Sequence, residues 1–314
     1  MKIDILLSTY NGEKFIREQL DSLLGQTFQD WRLLIRDDGS LDATIEIIQE
    51  YSKRYPEKIV FINDQDKHLG ACFSFARLLE LSDAEYMMFC DQDDVWLDNK
   101  IEITLAKMLE MEKAYFDKPI LVHTDLKVAD QNLKVSSDSI WRYQKLNPER
   151  QSLNYMLVEN NVTGCTVLIN KKLKELVMPF SKEAIIHDWW LALVASALGK
   201  IGYVKQPTIL YRQHGRNEIG AKKYSLKYFI KKFENKNKMT NLFYNIFKQS
   251  KALEEVYGSL MEESERKTAQ RFSTLLEQSR LARIRTIIKY RFTKNGVLRN
   301  FGYLGFIFSL HKAL

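Results

Sequence analysis

The sequence is poor in cysteine, in long apolar runs and in repeats, and each shortage closes off a class of answer. Cys72, Cys90 and Cys165 are its only cysteines. An odd number without C-x-x-C spacing implies no disulfide framework, and two of them lie in strand-like apolar runs, as reduced core residues of a cytosolic protein do. No stretch reaches the roughly 18 apolar residues of a spanning helix. The opening MKIDILLSTYNG carries Asp4 inside its apolar run and is too short for a secretory core segment, so the protein is expected to stay inside the cell. Acid is also scarce, but only in the last third. Residues 1–214 carry 26 Lys/Arg against 32 Asp/Glu, whereas residues 215–314 carry 21 against 8. A basic tail on an acidic body points to an anionic surface, membrane lipid or nucleic acid.

What is present is an alternation of strand-like and helix-like segments. Lys2 to Ser8 reads as a buried strand broken by Thr9-Tyr10-Asn11-Gly12, after which Phe15, Ile16, Leu20, Leu23 and Leu24 recur at helical spacing. Trp31 to Arg36 is a second strand, ending in Asp37-Asp38-Gly39-Ser40 and followed by a helix that Pro56 closes. Lys58 to Asn63 is a third, then come a helix from Gly70 to Leu81 and the apolar run Tyr86 to Cys90. The pattern predicts an α/β fold with a mostly parallel sheet, helices on both faces and right-handed crossovers. Further on, Leu97–Tyr115 is a helix, Pro119–Asp125 a strand, and Leu126–Leu146 a mobile irregular loop. Val162–Ile169 is a strand whose internal Gly164 marks a close backbone approach, and His187–Leu198 is a helix. Beyond Tyr224 the patterning is helical, with Phe and Tyr among Lys and Arg.

Tyr86–Cys90 stops abruptly at Asp91-Gln92-Asp93-Asp94, where open α/β sheets hold their ligands. Carboxylates crowded together either raise one another's pKa or recruit a cation, and hard oxygen ligands suit Mg²⁺ or Mn²⁺ with a phosphate on its far side. The plainer alternative is a polar loop in which Asp93 or Asp94 caps the next helix.

Five motifs, STYNGEKF from Ser8, DDGS from Asp37, CDQDD from Cys90, HDWW from His187 and YRQHGRN from Tyr211, together resemble the inverting family-2 glycosyltransferases of GT-A fold. They are most similar to bacterial rhamnosyltransferases that build surface polysaccharide. The resemblance spans roughly residues 1–220 and implies a role for each motif. Thr9, Tyr10, Asn11 and Glu13 would line the base and ribose, and Asp38 would accept from the base. Asp91 would hold the sugar and ribose hydroxyls, and Gln92 would join it in binding the nucleotide sugar. Asp93 and His214 would ligate Mg²⁺ or Mn²⁺ on the diphosphate, and Arg212 would hold phosphate charge. Asp188 would be the general base, kept ionised at a helix N-terminus, and Trp189 and Trp190 would stack on the acceptor sugar. Each has a plainer reading: turn residues at Asn11-Gly12 and Asp38-Gly39, a helix cap at Asp188, core packing for one of the tryptophans, and a structural loop histidine at His214.

These implications place a catalytic GT-A domain at residues 1–221 and a basic helical region at 222–314. The catalytic domain is expected to survive truncation after Ala221. Tyr224–Phe233 and Ile287–Leu310 carry the marks of helices lying on an anionic leaflet, with a solvated basic face over a helical bundle as the alternative. The expected activity is transfer of a sugar, rhamnose from dTDP-rhamnose, to a polyprenyl-diphosphate-linked saccharide at the inner face of the cell membrane. A UDP-linked galactose or N-acetylglucosamine donor is the alternative within the class. A non-catalytic nucleotide-sugar- or nucleic-acid-binding protein is the alternative outside it. The set Asp38, Asp91, Asp93 and Asp188 speaks against the latter and against nucleic acid as partner, because a binding module needs no base.

Overall fold

The computed structural model describes residues 2–64, 68–215 and 236–310. Its centre is a twisted sheet in which β1 (Ile3–Thr9), β2 (Trp31–Asp37), β3 (Ile59–Ile62) and β4 (Tyr86–Cys90) run parallel in the order β3-β2-β1-β4. The continuous apolar runs follow from burial on both faces. Along β1, Ile3, Ile5 and Leu7 enter one core while Leu6 enters the other, and β4 divides Tyr86, Met88 and Cys90 from Met87 and Phe89 in the same way. The crossovers are α1 (Ile16–Leu24), α2 (Thr44–Arg54) and α3 (Gly70–Leu81).

Past β4 the sheet becomes mixed. The short β5 (Val95–Trp96) leads through α4 (Lys100–Ala114) to β6 (Ile120–Asp130), which runs five residues past the end the sequence suggests. The stretch 126–146 is no loose loop. Leu126, Val128 and Ala129 are buried, the chain turns back through β7 (Val135–Ser137), and α5 (Ile140–Gln144) buries Ile140 and Trp141. Polar residues between those apolar anchors hide the alternation. After α6 (Leu153–Met156), the expected strand 162–169 is instead a 3₁₀ turn at Gly164–Thr166 followed by β8 (Leu168–Asn170), antiparallel to β4. Then come α7 (Lys171–Val177), α8 (His187–Leu198) and β9 (Lys200–Gln213), the last pairing with β6 in parallel and β5 in antiparallel. Among the described residues nine strands form this one sheet.

Four further helices close the chain: α9 (Lys236–Tyr257), α10 (Glu263–Ser273), α11 (Arg280–Tyr290) and α12 (Val297–Ser309). They pack on the α3/α8 side of the sheet, where Met156, Trp190, Phe243, Phe272, Tyr303 and Phe306 belong to one continuous apolar core. The turn between α11 and α12 is also pinned to the 144–161 segment by polar groups. Asn295 is buried; its Nδ2 donates to Glu159 Oε2 (2.8 Å) and Asn161 Oδ1 (2.7 Å), and its Oδ1 accepts from the Asn147 N–H at 2.9 Å. The expected surface segment Tyr224–Phe233 lies outside the described residues.

Candidate active site

Register brings the first two motifs together. Thr9 pairs with Asp37 at the ends of β1 and β2, so both turns open on one edge. Asp37 organises the second turn: Oδ1 accepts from Thr9 Oγ1 (2.8 Å) and Ser40 Oγ (2.6 Å), and Oδ2 from the N–H groups of Gly39 (3.0 Å) and Ser40 (2.7 Å). Asn11 sits at φ +48°, where asparagine is tolerated; its N–H donates to Ser40 Oγ and its Oδ1 accepts from the Leu41 N–H. Glu13 is exposed and its Oε2 accepts from the Ala43 N–H at the start of α2. Asp38 Oδ1 accepts from Arg36 Nη1 (2.7 Å) and the Leu69 N–H (2.9 Å), and Oδ2 from the Gly70 N–H (2.9 Å). The two turns are therefore rigid before anything binds. Tyr10, 48% exposed, stands on their rim with its ring edge toward His68 at 6.2 Å.

Thr9 and Gln92 depart from their expected roles as donor contacts. Thr9 is buried and spends its hydroxyl on Asp37. Gln92 clamps the Tyr10 backbone from both sides, Oε1 accepting from its N–H and Nε2 donating to its carbonyl, each at 2.9 Å. A Cβ on Gly12 would lie 2.2 Å from that Oε1, so the clamp needs glycine there.

Beyond β4 the carboxylates separate by burial and by partner. Asp94 is wholly buried; its Oδ1 accepts from the Arg212 N–H (3.1 Å), whereas its Oδ2 has no hydrogen-bond partner among the described residues. Burial and then the neighbouring Asp93 and Asp91 hold the Asp94 carboxyl well above the ordinary carboxylate range. Oxygens of Asp91 and Asp94 and the Cys165 sulfur all lie within 4.8 Å of one another. Burial pushes that thiol well up, so it stays protonated and is a poor ligand for a hard cation. Asp93 Oδ2 and His214 Nε2 are hydrogen-bonded to each other at 2.8 Å. Phe15 stacks on the His214 ring at 4.8 Å and steadies it. Among the described residues, Asp91, Asp94 and Cys165 are the three potential ligands that lie close enough together to share an ion, and of these only the two carboxylates suit Mg²⁺ or Mn²⁺.

Arg212 does not hold phosphate. It is buried to 1% exposure and its nitrogens are committed: Nε to the Asp93 carbonyl (2.8 Å), Nη1 to the Gln131 carbonyl (2.7 Å) and Nη2 to Glu18 Oε2 (2.9 Å). It braces the Asp93 loop instead. Lys100, which the sequence did not single out, is buried beneath this cluster with its ammonium 4.4 Å from the Trp96 ring. Burial lowers it to about 8, while Cys165, Cys90 and Asp94 pull the other way.

Asp188 lies in the first turn of α8, two residues past the cap position at Ile186, so it is not the cap itself. Burial raises its carboxyl to about 7, against hydrogen bonds from the Trp189 and Gly164 backbone and from Asn160. The expectation of a carboxylate kept fully ionised by the helix end is thereby corrected; desolvation outweighs the dipole. Asn160 Nδ2 donates to Asp188 Oδ1 at 3.1 Å, and Asn160 Oδ1 is itself fixed by the Val162 N–H at 3.0 Å. A Cβ on Gly164 would lie 2.7 Å from His187 Nε2 and 3.4 Å from Asp188 Oδ2, which is the close approach its position in the sequence implies. Gly164 thus lies against Asp188 while the sulfur of the next residue, Cys165, is within 4.8 Å of oxygens of Asp91 and Asp94, so one dipeptide lies between the two carboxylate groups.

The tryptophans are core. Trp189 is 8% exposed and donates Nε1–H to the Met156 carbonyl at 2.7 Å, and Trp190 is 1% exposed with its ring toward Tyr257 at 6.2 Å. Neither presents a face for a sugar to stack on. Both positions fall on buried faces of a helix that is buried almost all round, which a pattern of local motifs does not reveal.

A family-wide sequence profile for "Glycosyl transferase family 2" matches residues 4–177, more than half of the chain. The chain belongs to glycosyl transferase family 2. This glycosyltransferase is 30% identical over 229 residues to the dTDP-rhamnosyl transferase RfbG of Shigella flexneri, covering 68% of this chain and 74% of that one. It is 26% identical over 204 residues to the putative teichuronic acid biosynthesis glycosyltransferase TuaG of Bacillus subtilis, covering 64% and 75%. It spans 66% of an uncharacterised Nostoc glycosyltransferase and 43% of a longer solved TarS chain from S. aureus. Among solved structures it is similar in fold to S. aureus TarS 1–349 in complex with UDP-GlcNAc (TM-score 0.55, 16% identity, 92% of this chain and 79% of that one). It is likewise similar to the mannosyltransferase PcManGT of Pyrobaculum calidifontis in complex with GDP-Man and Mn²⁺ (TM-score 0.52, 13% identity, 96% and 78%). The GT-A-like α/β architecture read from the sequence is therefore that of the molecule, with its helical carboxyl-terminal region.

Proposed function

We propose that this family-2 transferase inverts the sugar it moves, with Asp188 as general base, and that it carries rhamnose from dTDP-rhamnose to a lipid-linked polysaccharide intermediate. The observation that supports this most is the Asp188 carboxyl, buried, aimed by Asn160, poised at about 7, and one dipeptide away from the acidic cluster at the end of β4. A general base works best when its pKa lies near the working pH. In the proposed step Asp188 takes the acceptor hydroxyl's proton as that oxygen bonds to the anomeric carbon. The bond from that carbon to the diphosphate oxygen breaks with its electron pair on the diphosphate, and attack from the opposite face inverts the centre. A Mg²⁺ or Mn²⁺ ion held by Asp93 and His214, with Asp91 beside them, would supply Lewis-acid stabilisation of the departing diphosphate. Tyr10, Asn11, Glu13 and Asp38 form the prearranged rim for the nucleoside, and Asp91 meets the sugar.

The choice of dTDP-rhamnose rests on the likeness to RfbG, whose own donor its name gives. The TarS and PcManGT likenesses speak for a nucleotide-sugar site without choosing the nucleotide. Residues 1–221 bind donor and perform chemistry, and 222–314 bring the enzyme to the cytoplasmic leaflet where a polyprenyl-diphosphate-linked acceptor resides. None of the described helices is long and apolar enough to cross a membrane. Thermal unfolding with dTDP, UDP and GDP tests the donor, because a ligand that binds only the native state raises Tm. Stabilisation by dTDP with Mn²⁺ is the expected result. Stabilisation by UDP alone would overturn the rhamnose donor.

A further inference from the structure

The last two helices form an antiparallel hairpin whose outer surface is apolar where a soluble surface would be polar. On α11, Leu281 (68% exposed) and Ile288 (67%) stand one heptad apart, with Arg285 between them on the same face. On α12, Val297 (70%), Phe301 (70%) and Phe308 (42%) repeat at helical spacing on the outward side, and Leu298 (49%) flanks them. The inward side is ordinary core, with Ile287, Tyr303 and Ile307 buried. The two stripes are neighbours. Arg283 Nη1 donates to the carbonyls of Ile307 (3.2 Å) and Leu310 (2.7 Å), and the Arg280 guanidinium lies 5.7 Å from the Phe308 ring centre.

The charge on this surface has one sign. From Gln278 to Leu314 there are eight Lys/Arg and no Asp/Glu. Arg280, Arg285, Lys289 and Arg291 are exposed beside the apolar stripes. A second copy of the chain docking through the same face would set these cations against their equivalents without a carboxylate to separate them. An anionic lipid surface satisfies both features at once, taking aromatic and aliphatic side chains into its interface and pairing phosphates with the cations.

We propose that the outer face of the α11–α12 hairpin is the membrane-docking surface. Leu281, Ile288, Val297, Phe301 and Phe308 enter the interface, and Arg280, Arg285, Lys289 and Arg291 meet anionic headgroups. The proposal rests on the leaflet location given above and names the residues that achieve it. It also relates docking to chemistry. The turn joining the two helices holds Asn295, which bonds Asn161, and the adjacent Asn160 holds Asp188. The docked face is thus tied to the segment that orients the base, which places a lipid-linked acceptor at the acceptor side of the site.

The test is sedimentation of the full chain with vesicles. At low salt the wild type is expected to pellet with phosphatidylglycerol-containing vesicles and to stay in solution with pure phosphatidylcholine. Ile288→Asp/Phe301→Asp is expected to lower the partition coefficient tenfold or more. Arg285→Gln/Lys289→Gln is expected to lower it by about fivefold per charge removed. All four positions are exposed, so the variants should keep the wild-type circular dichroism. Nucleotide-induced thermal shift, measured on the same samples, reports on the transferase site independently of docking. A wild type that stays in the supernatant with anionic vesicles would overturn the proposal, as would variants that pellet like wild type. So would a wild-type dimer that Ile288→Asp/Phe301→Asp dissociates.

Discussion

At the scale of single residues, the burial of Asp188 carries a cost in stability. A carboxyl that ionises near 3.8 when unfolded and near 7 when folded holds its proton more tightly in the native state. The native state therefore loses stability as pH rises from about 4 to 7, and above that the penalty is constant at a value on the order of 4 kcal/mol. Asp188→Asn removes the ionisation. It should raise Tm by several degrees at pH 8, with the gain shrinking toward pH 4, as followed by calorimetry. Asn160→Leu should do the opposite to the base. Without the amide that favours its ionised form, Asp188 titrates higher, and the acidic limb of the kcat profile should move up by about one pH unit with KM for donor unchanged. Loss of rate without a shift in the limb would make Asn160 structural only. The place of Asp188 at the start of a helix was legible in the sequence from the HDWW motif. Its pKa was not, because desolvation comes from α8 being buried almost all round. Trp189 and Trp190 were misplaced for the same reason, and Asn160 offered no local signal.

At the scale of elements, the parallel strands and their polar turns were readable because their apolar runs are uninterrupted. What escaped were β7 and α5, held by a few anchors among polar residues, and the 3₁₀ turn at Gly164–Thr166, which replaces the strand expected there. The turn at the end of β4 also divides its acids in a way spacing alone does not show. Asp94 is buried beneath it, and Asp93 pairs with His214 at a distance set by β9 returning beside β5. Asp93→Asn and His214→Ala are each expected to lower the Mn²⁺-dependent part of dTDP affinity by about tenfold or more, while leaving metal-free affinity nearly unchanged. Titration calorimetry with and without Mn²⁺ measures both. Equal losses with and without metal would assign the pair to structure.

At the scale of the whole molecule, the carboxyl-terminal helices complete a core begun by the sheet. Trp190 and Met156 share one apolar cluster with Phe243, Phe272 and Tyr303, and Asn295 closes a polar network with Glu159 and Asn161. The sequence showed the tail as a basic, helical appendage because charge and composition change near residue 215. It could not show which faces are covered. Truncation after Ala221 uncovers that cluster, so the shortened chain is expected to aggregate or to melt well below the full chain, with the loss seen by light scattering and differential scanning fluorimetry. Trp190→Ala probes the same shared core without deleting anything, at a cost of about 3–5 kcal/mol.

The proposed role of Asp188, removal of the acceptor's proton, is measured by the rate of rhamnose transfer from dTDP-rhamnose to a lipid-linked acceptor at pH 8, for wild type and Asp188→Asn. The variant is expected to fold, to bind dTDP as wild type does, and to transfer roughly 10²–10⁴-fold more slowly. Transfer within a few-fold of wild type would contradict it.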